Sequence, residues 1–421
     1  MAVGTFGMIR SAVPPGPTFS ILIWAGLVWL GSFLPSQCRA EESLVLGLDS
    51  VEQLRQVVGS EGVGVQVGEK VYWWDRRDIR GVGEDAWVRP DFAGIAGGWR
   101  QQNEPVATDV GGAFQSASCR APVVLEPQQT GELTARLLKA AVAEGAVSGC
   151  PVIVAPGIHP IDRDIFIGTD GTTLFCKPGA IFKKTRTANV FWFKGKGIRM
   201  SGRCEIDGAG YSGSGLIVDF SAQDTKIEHV YAHDHGGHGV LNRGSRTLAE
   251  YVRTERNGKI GFANDAAKDV DIRYLLSREN GNEGLTVDNP GVKSVRIVGG
   301  LLEGNCRKGG VGNIGVDAAE DVVIEGIIVQ RPQTPCSWNL TAQNNVGNTV
   351  RLTIRGGYFS GARKGDIHFR SNVERGFIVR DSVVTNIVSR SNGHAVLIDA
   401  GGERNSVSVQ GYSGRIVVDL Q

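Results

Sequence analysis

The sequence lacks an excess of charge of either sign, since 45 Lys and Arg residues face 44 Asp and Glu residues in a chain of 421. This balance excludes a protein that binds nucleic acid through bulk positive charge, and it excludes a disordered, highly charged tail. Proline is scarce at 15 residues, and the 59 glycines follow no three-residue period, which excludes collagen. No Cys-x-x-Cys pair occurs, so no structural zinc site is predicted.

Long hydrophobic runs are also scarce, and the one present covers residues 19–34 without a charge. Arg10 precedes this run, and Cys38 and Ala40 stand at −3 and −1 of a cleavage site after Ala40. The run is short for a membrane-spanning helix, which needs about 20 apolar residues. We therefore expect residues 1–40 to be a signal peptide. The rest of the chain is then secreted, periplasmic or at the cell surface, and no longer in the membrane.

Residues 41–103 read as a small β-rich module, because apolar and polar residues alternate at 62–67 and 70–75. Four tryptophans lie close together there: Trp73, Trp74, Trp87 and Trp99. They form either the core of the module or a platform for sugar rings. The pattern VEQLRQV…VYWWD…WVRP…GGWR resembles the short β module that precedes β-helix domains in phage tailspikes.

A linker rich in Gly, Pro, Ser and Gln is predicted over residues 104–130. Thr130 is suited to cap a helix over 131–144, whose apolar stripe includes Leu137 and Leu138. The strand PVIVAPGIHPI follows at 151–161. We expect the helix to cover the open end of the domain that comes after it.

From about residue 165 the sequence repeats. Segments that follow an Asn-Gly-like turn align Gly239, Gly261, Gly284 and Gly315, with spacings of 22, 23 and 31 residues. Four residues before the first three glycines stand His235, Asn257 and Asn280, and Asn305 fills the same turn if the third spacing contains an insertion. We expect these residues to adopt the left-handed backbone conformation, and we expect their side chains to form a ladder of hydrogen bonds between turns. This period indicates stacked β coils.

The repeat resembles the pectin-lyase-like right-handed parallel β-helix superfamily over roughly residues 150–421. The resemblance implies an all-β fold: a single-stranded right-handed parallel β-helix over residues 131–421, with an N-terminal capping helix and a small N-terminal β-rich module. Cys176 and Cys204 then lie one coil apart, as do Cys306 and Cys336. Adjacent strands are about 4.8 Å apart, so each pair forms either a disulfide or part of a stack of buried thiols.

A histidine-rich segment, HDHGGHG, occupies residues 233–239. Metal binding is one interpretation. The other is a polar turn in which His235 replaces a ladder asparagine, and on this interpretation no metal is expected. Gly237, His238 and Gly239 resemble the G-H-G motif of polygalacturonases, whose histidine lies in the active-site cleft. Glu283 occupies the column of that family's catalytic aspartate, but the family's Asp-Asp pair is missing.

A second candidate is a row four residues after the column glycine, and its members are Arg243, Asp265, Asp288, Ala319, Gln343, Arg370, Asp399 and Asp419. Asp265 and Asp288 then lie about 5 Å apart, so one of their pKa values rises. Retaining glycosidases use a similar spacing. The alternative is structural, with each Asp capping a turn or pairing with Arg243. A parallel row is predicted to contain Thr286, Asp317, Thr341 and His368.

These patterns define the candidate residues. The predicted catalytic residues are Asp265, Glu283, His238 and Asp288. The predicted substrate-binding residues are Arg243, His235, His233, Asp234, Asp317, His368 and Arg370. No EF-hand loop is present, and calcium held by carboxylates of adjacent turns stays an open alternative.

Two classes of function follow. The first is an exported enzyme that acts on an acidic polysaccharide by elimination, hydrolysis or C5 epimerisation. The second is a non-catalytic polysaccharide-binding protein of the tailspike or adhesin kind. A tailspike-like assembly implies a trimer, while the sequence leaves the oligomeric state open.

Overall fold

The computed structural model describes Cys119 and residues 122–418, apart from 344, 392, 400–401 and 411–414, together with the backbone of five strands between residues 45 and 101. The predicted signal peptide, most of the predicted linker and Asp419 lie outside the described residues. The side chains of residues 415–418 and of the five early strands, which include the four clustered tryptophans, lie outside them as well.

The predicted β-rich module contains a five-stranded sheet with the order β1-β2-β3-β5-β4. Its strands are β1 (Val45–Leu48), β2 (Gly64–Val67), β3 (Lys70–Asp75), β4 (Trp87–Val88) and β5 (Gly98–Gln101). Strands β1 and β2 are parallel, and the other pairs are antiparallel.

Two long parallel sheets follow, and they wind around one core. The larger sheet has 20 strands. Its strands are β6 (Val123–Leu125), β7 (Val152–Val154), β8 (Gly157–Ile161), β10 (Thr173–Cys176), β11 (Ala180–Lys184), β13 (Arg199–Gly202), β14 (Cys204–Asp207), β16 (Lys226–Glu228), β17 (Val230–His233), β19 (Ser245–Glu250), β20 (Arg253–Glu255), β22 (Lys268–Arg278), β24 (Lys293–Glu303), β26 (Glu320–Glu325), β27 (Ile328–Gln330), β29 (Thr349–Arg355), β30 (Tyr358–Ser360), β32 (Val379–Arg380), β33 (Val383–Ser389) and β35 (Ser406–Gln410).

The smaller sheet takes one strand from each turn and has 11 strands. They are β9 (Ile165–Ile167), β12 (Phe191–Phe193), β15 (Leu216–Val218), β18 (Val240–Asn242), β21 (Phe262–Asp265), β23 (Leu285–Asp288), β25 (Gly312–Asp317), β28 (Trp338–Gln343), β31 (Gly365–Phe369), β34 (His394–Ile398) and β36 (Arg415–Val418). This architecture confirms the predicted parallel β-helix. A 3₁₀ helix, Val373–Arg375, lies between β31 and β32.

The core follows from the alternation of side chains along each strand. In β23, Leu285 and Val287 are fully buried inside the coil, while Thr286 and Asp288 point outward. Because β23 pairs in register with the strands of the turns before and after it, its neighbours repeat this arrangement. Outward residues therefore form rows that run along the axis of the coil, about 4.8 Å apart from turn to turn.

Successive turns bend at non-glycine residues with positive φ, which is uncommon outside glycine. One such column contains Asp224, Arg246 and Asp269, with φ values of 55°, 52° and 54°. Arg246 donates to Asp224 on the preceding turn, and Arg351 pairs with Asp321 in the same way. Alternating charge in this column favours one register of the turns, because a slip would place like charges side by side.

The helix α1 (Gly131–Ser148) begins where predicted and runs four residues past the predicted end at residue 144. Thr130 caps its start by accepting the Leu133 N–H, and Gly149 ends it at φ 67°. Strand β6 lies in the segment predicted as a linker and pairs in parallel with β7, so α1 connects two neighbouring strands of the larger sheet. Among the described helices, none is long and apolar enough to cross a membrane.

Three disulfides are formed among the described residues. Cys176–Cys204 and Cys306–Cys336 each join successive turns, so the structure takes the disulfide alternative for both predicted pairs. The third, Cys119–Cys150, was not predicted, because Cys119 lies outside the repeat.

Candidate active site

The HDHGGHG segment connects the end of β17 to the start of β18, and His235 lies inside the coil. His235 is 1% exposed, its Nε2–H donates to the Ile206 carbonyl, and burial lowers its pKa well below the ordinary value. Its backbone N–H donates to Asn257 Oδ1 on the next turn. The substrate-binding role predicted for His235 is therefore wrong, since the side chain starts the ladder of turn residues.

The ladder continues as predicted through Asn257, Asn280 and Asn305, each backbone N–H donating to the amide oxygen of the next turn. Asn305 then donates to Asn313. The predicted left-handed conformation falls on the preceding residues instead, because Arg256 and Glu279 each have φ 50°. The left-handed residue makes the bend, and the asparagine that follows is left free to align its side chain between turns.

The glycine column is confirmed for Gly239, Gly261 and Gly284, whose carbonyls accept the N–H groups at the start of strands on the preceding turn. The prediction that Gly315 is the fourth member of this column is wrong. Asn313 occupies the position after Gly284, and Gly315 pairs with Thr286 two residues further along. The error arose because the Asn313 side chain replaces the glycine there and itself extends the ladder.

This shift changes the predicted row of outward residues. Asp265 pairs with Asp288, and Asp317 lies on the next turn in register and pairs with Gln343. Ala319, which was predicted in this row, is fully buried. Asp317 therefore belongs to the row of Asp265 and Asp288, and not to the parallel row that contains Thr286 and Thr341. We call Asp265, Asp288 and Asp317 the acid row.

Glu283 lies beside the acid row. Its Oε1 accepts the Val311 N–H at 2.8 Å, and burial raises its pKa above the ordinary value. Burial and the neighbouring Asp265, Glu283 and Asp317 raise the pKa of Asp288 to about 7. The pKa rise predicted for one carboxylate of a close pair thus falls on Asp288. At neutral pH the acid row therefore contains a partly protonated carboxyl group, that of Asp288.

The two ends of the acid row are held by hydrogen bonds. Asp265 Oδ2 accepts Arg243 Nε at 2.7 Å, and Asp265 Oδ1 accepts Asn289 Nδ2 at 2.6 Å. Asp317 accepts the Asn345 N–H, and burial raises its pKa. Asp265 is therefore an oriented, ion-paired carboxylate next to the acid Asp288.

His238 lies near the Arg243–Asp265 pair. Burial and the cations Lys259 and Arg243 lower the pKa of His238 to about 4. Its buried Nδ1 has no hydrogen-bond partner. The side chain is therefore a neutral imidazole at neutral pH.

His233 and Asp234 belong to a different group, at the end of β17 in the larger sheet. His233 Nδ1 lies 2.7 Å from Asp234 Oδ2, and Nε2 lies 3.2 Å from Glu205 Oε1. Burial opposes protonation of His233, but the hydrogen bonds to Glu205 and Asp234 outweigh it and raise the pKa. The structure thus divides the predicted site into two groups on different strands.

A metal ligand set exists in this second group. Ligand atoms of Asp207, His233 and Asp234 lie within 4.8 Å of one another, and no other such trio occurs among the described residues. Lys183 already pairs with Asp207 at 3.1 Å, and Arg256 pairs with Asp234 at 2.8 Å. A cavity of about 390 Å³ lies beside them. The carboxylates there are neutralised by cations of the chain, and the acid row has no comparable ligand set.

His368 and Arg370 lie further along the smaller sheet. His368 lies one turn after Thr341 in the row of outward residues that contains Thr286. Arg370 lies one turn after Gln343, in line with the acid row. His368 Nε2 lies 2.9 Å from Asp399 Oδ1, and its ring stacks on Trp338 at 4.6 Å. Both residues are two turns from Asp317, so their predicted contact with substrate concerns a neighbouring sugar and not the acid row.

Sequence reasoning missed an aromatic group at the other end of the sheet. Phe166 and Phe220 are 53% and 60% exposed, and the Phe166 ring stacks on Trp192 at 5.5 Å. We call Phe166, Trp192 and Phe220 the aromatic platform. Its signal in the sequence is the segments IFI and FWF, in which an aromatic residue replaces the polar residue expected at an outward position.

No protein-family profile matches the sequence, nor does any curated protein. Among solved structures, the product of ORF18 from Geobacillus virus E2 shares 11% identity with a TM-score of 0.50, over 88% of this chain and 72% of that chain. The enzymatically active domain of tailspike protein 2 from bacteriophage CBA120 shares 12% identity with a TM-score of 0.47, over 86% of this chain and 61% of that chain. An alginate lyase from Paenibacillus sp. str. FPU-7 shares 13% identity with a TM-score of 0.44, over 71% of this chain and all of that chain.

The chain has a parallel β-helix fold, and the Geobacillus virus E2 structure shares this fold. The alignment spans less than two thirds of the CBA120 tailspike domain. At these identities the parallel β-helix fold is shown and the chemistry is not, because one fold carries many functions.

Proposed function

We propose that the chain is a glycoside hydrolase that cleaves a polysaccharide at the acid row. The observation that carries this proposal is the placement of Asp265 and Asp288 in register on adjacent turns. Adjacent strands are about 4.8 Å apart, close to the separation of about 5–5.5 Å between the two carboxyl groups of retaining glycosidases.

The environments of the two residues support different roles. Asp288, whose pKa is raised to about 7, is suited to protonate the glycosidic oxygen. Asp265 is oriented by Arg243 and Asn289 and is suited to attack the anomeric carbon. Asp288, then deprotonated, activates the water that releases the product. Glu283 and Asp317 keep the proton on Asp288 by adding negative charge beside it.

Charge favours hydrolysis over elimination and C5 epimerisation. Both of those reactions need a cation to neutralise the uronate carboxylate. Arg243 already pairs with Asp265, and four carboxyl groups surround this point. The sugar above the acid row therefore carries no carboxylate, and any acidic groups of the polymer lie on other sugars.

The aromatic platform supports a second candidate, a protein that binds polysaccharide without cleaving it. Exposed, stacked rings bind sugar faces without any need for an acid and a base. The two candidates differ in whether reducing ends appear.

The test is incubation of the full chain with a panel of neutral and uronic-acid polysaccharides. Reducing ends report hydrolysis, and ultraviolet absorbance of an unsaturated product reports elimination. We expect Asp288→Asn and Asp265→Asn to lower kcat by about 10²–10⁴-fold, and Asp224→Asn to have no effect. Asp224 is a suitable control because it is an exposed carboxylate that also pairs with an arginine one turn away.

Wild-type activity in both acid-row variants contradicts the proposal. An unsaturated product in place of hydrolysis contradicts it as well. Binding without any turnover favours the non-catalytic candidate.

We also propose an extracytoplasmic location. The three disulfides support it, because disulfides persist in oxidising compartments. Mass spectrometry of the protein from fractionated cells tests this, since cleavage after Ala40 leaves Glu41 as the first residue. A protein that retains Met1 in the cytoplasm contradicts it.

A further inference from the structure

The aromatic platform and the acid row lie on the outward side of the same sheet. The outward position of Phe166 pairs with Trp192, and from there the register runs through Ile217, Leu241 and Ala263 to Thr286 beside Asp288. Trp192 and Thr286 are therefore four turns apart. At about 4.8 Å per turn this is roughly 19 Å.

The platform is held rigidly although it is open to solvent. Trp192 Nε1 donates to Asp219 Oδ2 at 2.8 Å, which fixes the orientation of the indole. Lys194 Nζ lies 4.9 Å from the centroid of Phe166 and 5.3 Å from that of Trp192. A site that is ordered before binding loses less entropy when a ligand arrives. Exposed apolar side chains grouped in this way mark a binding surface.

Arg243 connects the platform to the acid row. Its guanidinium lies 5.1 Å from the centre of the Phe220 ring, and its Nε donates to Asp265. One side chain thus contacts an exposed aromatic ring and a carboxylate of the proposed active site. Between the two groups, the outward residues Ile217, Leu241 and Ala263 form a buried apolar cluster against which Trp192 packs.

We infer that the aromatic platform is a distant subsite for the same glycan chain that is cut at the acid row, and that pyranose rings stack on Phe166, Trp192 and Phe220. This inference rests on the proposed function, because that function places the cleaved bond of the same glycan at the acid row. Its consequence is a preference for long substrates, because a glycan of one or two sugars that occupies the acid row does not reach across about four turns. The enzyme then binds the polymer mainly through a region where no bond is broken.

The test compares Trp192→Ala and Phe166→Ala with Tyr358→Ala, an exposed aromatic residue on the larger sheet. Binding is measured by affinity electrophoresis in gels that contain the polysaccharide that retards the wild-type protein most. All variants are made in the Asp288→Asn background to suppress cleavage. We expect the two platform variants to weaken binding by about tenfold and Tyr358→Ala to leave it unchanged. Trp192→Phe keeps a ring and restores most of the binding.

Kinetics give the second measurement. Trp192→Ala is expected to raise KM for the polymer with kcat unchanged, and to leave turnover of the shortest cleaved oligosaccharide as in the wild type. Equal losses at every chain length, or unchanged polymer binding in both platform variants, overturn the inference. If no substrate is cleaved but binding depends on the platform, the proposed hydrolysis fails and the sugar subsite stands.

Discussion

At the scale of single residues, the proposed hydrolysis depends on one proton at Asp288. The carboxyl group is largely buried and faces three other carboxyl groups, so its negative form is disfavoured. Asp265 beside it has an arginine partner. Two side chains of the same type, on adjacent turns, thereby have environments suited to the acid and the nucleophile of the proposed reaction.

The first prediction concerns the pH dependence of activity. The pKa of Asp288 is about 7, so the fraction of acid in the protonated form falls as the pH rises through that value. We expect kcat/KM to decrease above about pH 7, with no such limb in the residual activity of Asp288→Asn. Initial rates over a pH series measure this. An alkaline limb that persists unchanged in Asp288→Asn assigns the proton to another group.

The second prediction concerns stability. The pKa of Asp288 rises from 3.8 to about 7 on folding, so between these values the folded state binds more protons than the unfolded state. Stability is therefore lost as the pH rises through this window, and the loss is complete above about 7. We expect Asp288→Asn to raise the free energy of unfolding by roughly 2–4 kcal/mol at pH 8 and by almost nothing near pH 4.

Urea denaturation at the two pH values tests this second prediction, with Glu144→Gln, at an exposed carboxyl group of α1, as the control. An equal effect of Asp288→Asn at both pH values would falsify it.

The acid row was partly visible in the sequence. Asp265 and Asp288 were placed together because the period of 22 and 23 residues is regular there. Asp317 was misplaced because the next turn is longer and replaces its glycine with Asn313. The substrate-binding role predicted for His235 was wrong, since a buried ladder position and an exposed turn position have the same sequence spacing.

At the scale of elements, the turn ladder holds the strands in register. Asn280 Oδ1 accepts from Asn257, and its own amide donates to Asn305 and to Ser277. All of these groups are buried. Every turn in this region therefore depends on an amide that satisfies the turns on both sides.

The third prediction is the loss of stability in Asn280→Ala. The change leaves the buried Asn257 N–H and other donors without an acceptor, and each such group costs about 1–3 kcal/mol. We expect the free energy of unfolding to fall by about 2–4 kcal/mol, measured by urea denaturation. Gln128→Ala, at an exposed amide before α1, serves as the control. A loss no larger than that of the control contradicts a structural role for the ladder.

The disulfide Cys306–Cys336 links this ladder region to the acid row. It closes the segment that contains Val311, whose N–H donates to Glu283. Cys176–Cys204 joins turns in the same way but in an earlier part of the coil. The two disulfides therefore have similar sequence separations, 30 and 28 residues, and different distances from the site.

The fourth prediction separates these two disulfides. Replacing either pair with alanines is expected to lower the free energy of unfolding by about 2–4 kcal/mol. Only Cys306→Ala with Cys336→Ala is expected to lower kcat as well, because Glu283 loses a fixed partner. Denaturation and initial rates on the same samples measure both effects. Equal activity losses for the two double variants would show a general effect of stability.

At the scale of the whole molecule, the repeat made the fold predictable. The first turns of the coil were much harder to predict. The turns after residue 238 share the Asn and Gly positions, so their spacing shows in the sequence. The turn before β15 keeps the glycine as Gly215, but Asp164 and Val190 hold that position before β9 and β12, and the intervals between these strands are longer and unequal. The aromatic platform lies on these early turns. Strand pairing brings its residues together, and no short sequence motif indicates which residues pair.

A parallel β-helix has two open ends, because each turn is covered only by its neighbours. Helix α1 covers the first turn here and contacts β6, β7, β8 and β9. Leu138 is completely buried in this contact, while the adjacent Leu137 is 36% exposed. The two leucines therefore provide a matched pair of sites on one helix.

The fifth prediction uses that pair. Leu138→Glu places a charge against the apolar end of the coil, so we expect α1 to detach and to expose the unpaired edge and core of the first turn. Such an edge pairs with other chains, and size-exclusion chromatography should show high-molecular-weight species for Leu138→Glu. Leu137→Glu should elute as the wild type does. If Leu138→Glu keeps the wild-type elution volume and thermal stability, the first turn does not need the helix, and residues 131–148 are an attachment to the coil and not its cap.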